Sequence, residues 1–119
     1  MKEIGIGIVG GGYMGKAHAV AMSSVGAIFN TKLRPRLEMV AANSPQSAER
    51  YRDAFGFRRA AENWQALVQD PKVDAVIIAS PQSTHCEIAL EALALGKPVL
   101  CEKPIAESLQ DARRMVDAA

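Results

Sequence analysis

A glycine-rich segment near the start of the chain is the residue pattern best suited to do chemistry. It reads GGGYMG from Gly10 to Gly15 and fits the spacing G-x-G-x-x-G between an apolar run and a helical pattern. In a turn of this kind Gly10 permits the sharp bend, Gly12 lets the backbone approach a pyrophosphate, and Gly15 lets the helix pack closely on the strand. The first helical residues, Tyr13 and Met14, present free N–H groups to the phosphates. The segment predicts a dinucleotide site, and the alternative is a glycine-rich turn that binds nothing.

The second apolar run ends at Ala42 and is followed by Asn43 and Ser44, where a nucleotide ribose would be read. A carboxylate at this place binds the ribose hydroxyls in proteins that use NAD. Asn43 can hydrogen-bond a 2′-hydroxyl but does not repel a 2′-phosphate, and Ser44 could bind a phosphate. The preference for NAD or NADP therefore stays open. The alternative is that Asn43 is only a turn residue and Ser44 only a helix cap.

Two further polar segments follow apolar runs, where open α/β sheets place their ligands. The first begins at Ser80-Pro81 and contains His85, and the second contains Glu102 and Lys103. His85 either faces the ligand or lies partly exposed on the first turn of a helix. Taken alone, Glu102 and Lys103 also fit an exposed ion pair, because charged side chains mostly lie in water.

The elements that must position these residues alternate between strands and helices. The apolar runs cover residues 4–9, 37–42, 73–79 and 98–101, with a short edge strand at 57–60. Several runs have apolar residues at both odd and even positions, which is typical of parallel strands covered on both faces. Helical patterns fill the intervals, and residues 26–36 are predicted as a loop that lengthens the first crossover. The alternation predicts an α/β fold, a Rossmann-type doubly wound and mainly parallel sheet with helices on both faces.

Local signals mark where the helices begin and end. Ser44-Pro45 and Asn63 are good helix starts, Thr84-x-x-Glu87 reads as a capping box, and Gly56 and Gly96 are good helix ends. A last helix opens at Ser108. Its expected inner face comprises Leu109, Ala112, Met115, Val116 and Ala119.

Composition excludes several classes of protein. The 14 Lys and Arg residues nearly balance 13 Asp and Glu residues, so the net charge of +1 supplies no basic field for nucleic acid or an anionic membrane. No apolar run approaches the roughly 20 residues that span a bilayer. Cys86 and Cys101 are too few for a disulfide scaffold and fit no metal-site spacing. We therefore expect a cytoplasmic protein without a metal, nucleic acid or membrane partner.

The motifs together resemble the Gfo/Idh/MocA family, typified by glucose–fructose oxidoreductase and inositol dehydrogenase, over essentially the whole chain. The resemblance rests on the glycine motif with His18 after it, on Pro81-x-x-x-His85-x-Glu87, and on the run ALGKPVLCEKP at residues 94–104. The last run is the most specific, because Gly-Lys-x-Val-x-x-Glu-Lys-Pro is the second signature of the family. Most members use NAD or NADP to oxidise or reduce a hydroxyl or carbonyl carbon, often on a sugar or cyclitol.

The resemblance implies roles for residues at matching positions. Lys103 matches the catalytic lysine, Glu102 matches a residue near the nicotinamide ribose, and Pro104 matches a proline often preceded by a cis peptide bond. Ser80 and Pro81 match the turn that runs along the cofactor. A lysine ammonium at a strand end can hydrogen-bond the reacting oxygen and stabilise charge developing on it.

The resemblance also implies that residues 1–119 are the dinucleotide-binding domain of a longer enzyme, without its last strand and its C-terminal substrate domain. The full-length enzyme is expected to act on a small sugar- or polyol-like substrate and to form a homo-oligomer, whereas the oligomeric state of this chain stays open. Without a wall that holds the substrate, the 119-residue chain alone is expected to be inactive. The alternative function is a non-catalytic dinucleotide-binding sensor or regulatory module.

Overall fold

All the strands lie parallel in one sheet in the computed structural model, which describes residues 2–119. The strands are β1 (Lys2–Val9), β2 (Leu33–Ala41), β3 (Arg59–Ala60), β4 (Ala75–Ile78) and β5 (Val99–Cys101). The helices are α1 (Tyr13–Phe29), α2 (Pro45–Phe55), α3 (Trp64–Gln69), α4 (His85–Ala94) and α5 (Leu109–Ala118), with a 3₁₀ turn at Gln82–Thr84 before α4. The strand order is β3-β2-β1-β4-β5. The predicted Rossmann-type fold is confirmed.

Helices cover both faces of the sheet. Alternate strand residues point to opposite faces, and each face carries its own apolar cluster. One apolar cluster lies towards α1 and the end of α2, with Ile6, Ile8, Ala19, Leu37, Val40, Phe57 and Ile77. The other lies under α3, α4 and α5 and includes Val9, Met39, Leu67, Val76, Ile78, Ile88 and Met115. Two apolar faces per strand explain why the strands read as continuous apolar runs. Among residues 2–119, no helix is long and apolar enough to cross a membrane.

Side-chain caps begin three of the helices as predicted. The Ser44 hydroxyl accepts a hydrogen bond from the Ser47 N–H at 3.1 Å, and Pro45 follows as the first helical residue. Asn63 caps α3 and Ser108 caps α5 in the same way, at 2.8 Å and 3.1 Å. Each cap satisfies an amide that the helix itself leaves unpaired.

The predicted capping box at Thr84 is wrong. The Thr84 side chain makes no hydrogen bond to the first amides of α4, because its hydroxyl instead donates to the Pro81 carbonyl at 2.7 Å. The same hydroxyl lies 2.7 Å from the Ser80 hydroxyl, which must be the donor in that pair. The residues before α4 therefore form a closed polar turn.

The predicted loop at residues 26–36 is also wrong over most of its length. Helix α1 continues to Phe29 and β2 begins at Leu33, so only residues 30–32 connect them. Asn30 ends the helix with a φ of 50°, a left-handed conformation that asparagine tolerates. Pro35 lies within β2, which has no second neighbour there since β3 pairs only with Met39 and Val40. A proline is tolerated on a strand with an unpaired side.

The expected inner face of the last helix is only partly correct. Met115 is buried, but Leu109 and Val116 are 73% and 66% exposed. Helix α5 packs mainly against α4, so the covered stripe of α5 is narrower than the periodicity predicts.

A partly buried charge network ties the edge of the sheet to the turn after α3. Glu38 is 2% exposed and accepts hydrogen bonds from Arg36 at 2.7 Å and Arg59 at 2.8 Å. Arg59 also binds both carboxylate oxygens of Asp70 at 2.8 Å. The Arg59 guanidinium lowers the pKa of Asp70 to about 2. Burial raises the pKa of Glu38, but the two arginines outweigh it and hold that pKa below its usual value.

Lys97, within the run at residues 94–104, joins the same turn. Its ammonium donates to the main-chain carbonyls of Val68 and Asp70, at the end of α3. Burial lowers the pKa of Lys97, and the nearby Asp70 and Asp74 carboxylates oppose that effect. Part of this signature therefore stabilises the fold.

Candidate functional site

The order of the strands creates a crevice at the carboxyl end of the sheet. The chain goes from β1 outward to β2 and β3, then crosses back so that β4 lies on the other side of β1. Loops on the two sides of β1 consequently lead to opposite faces, and such a switch point is where open α/β sheets bind ligands. The site residues predicted from the sequence lie in the loops after β1, β2, β4 and β5 or in the first turn of the helix that follows, as Tyr13, Met14 and Gly15 do in α1 and His85 does in α4.

The glycine turn after β1 is crowded at two of its motif glycines and open at the third. Gly10 has a φ of 108°, and a Cβ there would lie 2.7 Å from the Ala79 backbone. A Cβ on Gly15 would lie 2.0 Å from the Gly10 carbonyl oxygen, so the helix meets the turn too closely for a side chain. Nothing lies within 4 Å of a Cβ built on Gly12. Gly12 thus faces open space at the N-terminus of the 17-residue helix α1, where unpaired N–H groups favour an anion.

A cavity of about 580 Å³ extends from the glycine turn to the end of β2. Its lining includes Gly10, Gly12, Asn43, Ser80 and Pro81 of the predicted site residues. Residues outside the predicted site also line the cavity, among them Tyr51, Trp64, Thr84 and Ile88. The cavity has the size expected of a small-molecule site. The lining combines polar side chains at Asn43, Ser80 and Thr84 with aromatic and aliphatic side chains.

Apolar packing holds this wall in place. The Tyr51 ring stacks on Phe55 with the ring centroids 5.6 Å apart. A Cβ on Gly11 would lie 2.1 Å from the Tyr51 ring, so the glycine run also makes room for this aromatic. Trp64, the first residue of α3, packs partly against the core. The sequence motifs did not point to this wall, because Tyr51 lies in the middle of α2 and Trp64 begins α3, outside every motif.

Comparison with known proteins decides the family. The sequence profile of an oxidoreductase family with an NAD-binding Rossmann fold, GFO/IDH/MocA, matches residues 4–119. The chain belongs to the Gfo/Idh/MocA family. The expected resemblance is thereby confirmed.

Three relatives illustrate the match. A levoglucosan dehydrogenase from Pseudarthrobacter phenanthrenivorans is 34% identical over 99% of this chain and 30% of its own length. An inositol 2-dehydrogenase from Rubrobacter xylanophilus is 38% identical over 98% of this chain and 32% of its own length. A levoglucosan dehydrogenase solved with NADH and levoglucosan superimposes with a TM-score of 0.96 at 33% identity, over 99% of this chain and 32% of that one. The chain spans about a third of the length of these relatives.

The family's second signature ends beside the crevice. Lys103 is exposed, and no hydrogen bond or ion pair involves its ammonium within residues 2–119. The peptide bond between Lys103 and Pro104 is cis, as the family resemblance implied. Glu102 is partly buried, and its carboxylate lies 3.7 Å from the Nε2 atom of His18 on α1. That nitrogen is buried and has no hydrogen-bond partner among the described residues.

Four further predicted residues lie at the starts of helices. Tyr13, Met14 and Gly15 form the first turn of α1, and Tyr13 is 87% exposed. Ser44 caps α2 directly after Asn43. None of these four side chains lines the cavity. They lie at the N-termini of α1 and α2.

His85 does not line the cavity. It is 2% exposed, and both of its ring nitrogens lie beside main-chain carbonyl oxygens. The sequence left its orientation open because a histidine on the first turn of a helix can point either way. The structure places it between the loop after β4 and the loop after β5.

Proposed function

We propose that the crevice of this Gfo/Idh/MocA domain binds NAD or NADP along one line across the ends of the strands. The adenosine ribose lies at Asn43, the pyrophosphate lies over Gly12 to Gly15, and the nicotinamide points towards Glu102 and Lys103. Successive strands are about 4.8 Å apart. The ends of β2 and β5 are three spacings apart in the sheet order, or about 14 Å, a span that suits an extended dinucleotide.

The observation that carries this proposal is the open space at Gly12. Gly10 and Gly15 are crowded by backbone atoms, whereas Gly12 faces no atom within 4 Å although it lies in the same turn. A turn that served only the fold would have no need of a glycine at that position, since its φ of −72° suits any residue. A ligand backed against the main chain explains it.

Fluorescence of the single tryptophan tests binding, because Trp64 lines the cavity. Titration with NADH, NADPH and ADP-ribose is expected to change the Trp64 emission until the site is saturated. Free tryptophan titrated in parallel is the control for inner-filter effects, and Trp64→Phe, which keeps an aromatic wall, shows that the signal comes from this residue. Unchanged Trp64 emission, with no competition between the ligands, would contradict the proposed position of the cofactor.

The reaction we propose is hydride transfer between the nicotinamide and a hydroxyl or carbonyl carbon of a sugar, a cyclitol or a related small molecule. Lys103 acts as the acid–base group, because its exposed ammonium has no competing partner among the described residues. The relatives named for levoglucosan and inositol support this substrate class. We place the protein in the cytoplasm, where its unpaired Cys86 and Cys101 would remain reduced.

Residues 1–119 alone are expected to show no dehydrogenase turnover. Orienting a substrate against a cofactor can account for about 7–11 kcal/mol of a barrier. One acid–base group contributes about 10²–10⁴-fold, so Lys103 alone cannot replace a substrate wall. Nicotinamide absorbance with a panel of sugars and polyols measures this. Robust turnover by the isolated chain would contradict the division of roles.

A further inference from the structure

His85 occupies an unusual position between two loops of the site. It is the first residue of α4 and is 2% exposed. Its Nε2 atom lies 2.8 Å from the carbonyl oxygen of Ser80, and its Nδ1 atom lies 3.0 Å from the carbonyl oxygen of Pro104. The first carbonyl belongs to the loop after β4, and the second belongs to the turn that carries Lys103.

We propose that His85 is a positioning residue, a doubly donating imidazolium that ties the loop of Lys103 to the loop of Ser80 and so sets the nicotinamide end of the site. The inference rests on the proposed function for the identity of that end. The bridge itself is a property of the chain without any ligand.

The hydrogen-bonding capacity of the ring decides its charge state. A neutral imidazole has one N–H donor and one acceptor nitrogen, while a carbonyl oxygen can only accept. Two bonds at 2.8 and 3.0 Å therefore require an N–H on both nitrogens. A neutral ring would turn a nitrogen lone pair towards one carbonyl and leave that buried contact unsatisfied, which is costly. A ring with a single N–H would keep only one of these two hydrogen bonds.

No counter-ion among the described residues contacts the ring. Helix α3, β4 and the 3₁₀ turn, which pack near α4, carry no titratable side chain. The titratable and charged residues on the other neighbouring elements are Cys86, Glu87 and Glu91 on α4, Cys101, Glu102 and Lys103 at the end of β5, and Asp111, Arg113, Arg114 and Asp117 on α5. None of them makes an ion pair or hydrogen bond with His85. Burial raises the pKa of the Cys101 thiol to about 11, so it adds no charge near neutral pH.

The bridge connects to the site through the main chain. Pro104 directly follows Lys103, and the Gln82 side chain also donates to the Ala106 carbonyl at 2.7 Å. Two contacts thus join the loops, one at Pro104 and one at Ala106. Holding Pro104 restricts where the Lys103 ammonium and the Glu102 carboxylate can lie. His85 acts on those groups through position and does not touch the ligand.

Nuclear magnetic resonance of histidine labelled with ¹⁵N tests the charge state directly. The chain has two histidines, so a His18→Gln variant leaves the signals of His85 alone. Both ring nitrogens of His85 are expected to carry a proton in the folded chain, and their ¹⁵N chemical shifts should report the donation to both carbonyls. A single protonated nitrogen at every pH where the chain is folded would overturn the imidazolium bridge.

A binding comparison tests the positioning role. His85→Gln is expected to weaken NADH about tenfold or more, because a bond to a charged donor is lost, and to leave ADP-ribose within about threefold. Ala92→Gly, on the same helix and away from both loops, is the control for lost stability and should leave the ratio of the two affinities unchanged. An unchanged ratio in His85→Gln would overturn the positioning role.

The two failures remain distinguishable. If the wild-type chain bound neither NADH nor ADP-ribose, the proposed function would fail while the magnetic resonance measurement still decided the bridge. If His85→Gln did not fold, His85→Asn, which can reach one carbonyl, would take its place in the same comparison. A normal ratio in that variant would equally count against the positioning role.

Discussion

Replacing Gly12 by alanine separates cofactor binding from folding more cleanly than any other change in the turn. The backbone at Gly12 has a φ of −72° and a ψ of −162°, which an alanine adopts without strain. The added methyl group would meet no atom within 4 Å. Alanine gains about 0.4–1 kcal/mol by restricting the unfolded chain, and loses a comparable amount as a poorer N-cap than glycine. We therefore expect the free energy of unfolding of Gly12→Ala to stay within about 1 kcal/mol of wild type.

The effect on binding should be much larger. A methyl group at Gly12 pushes the pyrophosphate away from the N–H groups at the start of α1. A hydrogen bond between a charged group and an amide contributes about 1.5–3 kcal/mol, so losing one weakens binding about 10- to 150-fold. Calorimetric titration with NAD, together with thermal unfolding of the same samples, measures both quantities.

Gly15→Ala provides the opposite case. Its Cβ would lie 2.0 Å from the Gly10 carbonyl oxygen, so the helix must move away from the turn. Overpacking of this kind costs about 1–3 kcal/mol or more, and both the melting temperature and the cofactor affinity should fall. Lys16→Ala, exposed on α1, should change neither.

Wild-type affinity in Gly12→Ala would refute the placement of the pyrophosphate at this turn.

Three further outcomes follow from the structure. Asn43→Asp should weaken NADP at least about tenfold and spare NAD, because the new carboxylate repels a 2′-phosphate; equal loss for both in parallel titrations would move the ribose away from Asn43. Asp70→Asn should lower the free energy of unfolding at pH 7 by about 1–2 kcal/mol, a range reduced for the partial exposure of Arg59. Asp70 has a pKa of about 2 in the folded chain and an ordinary value of 3.8, so its contribution to stability is complete above pH 3.8 and is lost as the pH falls towards 2. Denaturant unfolding of wild type and variant should therefore give converging stabilities in acid, and a difference that persists there would contradict this account. Ser108→Ala should cost about 1 kcal/mol by removing the cap of α5, and no loss in the same melts would contradict that role.

Local signals in the sequence were sufficient wherever one residue decides a backbone conformation. Ser44, Asn63 and Ser108 each begin a helix through their own side chains, and Gly10 has the positive φ that its motif requires. The glycine turn is therefore predictable, because its geometry depends on the absence of particular side-chain atoms. The strand-to-helix alternation is predictable for a related reason, since two buried faces leave continuous apolar runs.

Features that depend on distant partners were not predictable from pattern. Pro35 suggested a loop, but the unpaired outer side of β2 accommodates it within the strand. Thr84 fitted a capping box too, but here the competing partner is local, because the Pro81 carbonyl three residues earlier accepts its hydroxyl. The orientation of His85 depends on where the turn at Pro104 lies, which local sequence does not encode.

Calorimetric titration of NAD and NADP into the folded chain of residues 1–119 tests the central claim most directly. The account predicts one binding site per chain, with heat that Gly12→Ala strongly diminishes and that ADP-ribose abolishes by competition. The absence of binding by either cofactor at millimolar concentration, in a chain whose fold is intact, would contradict it.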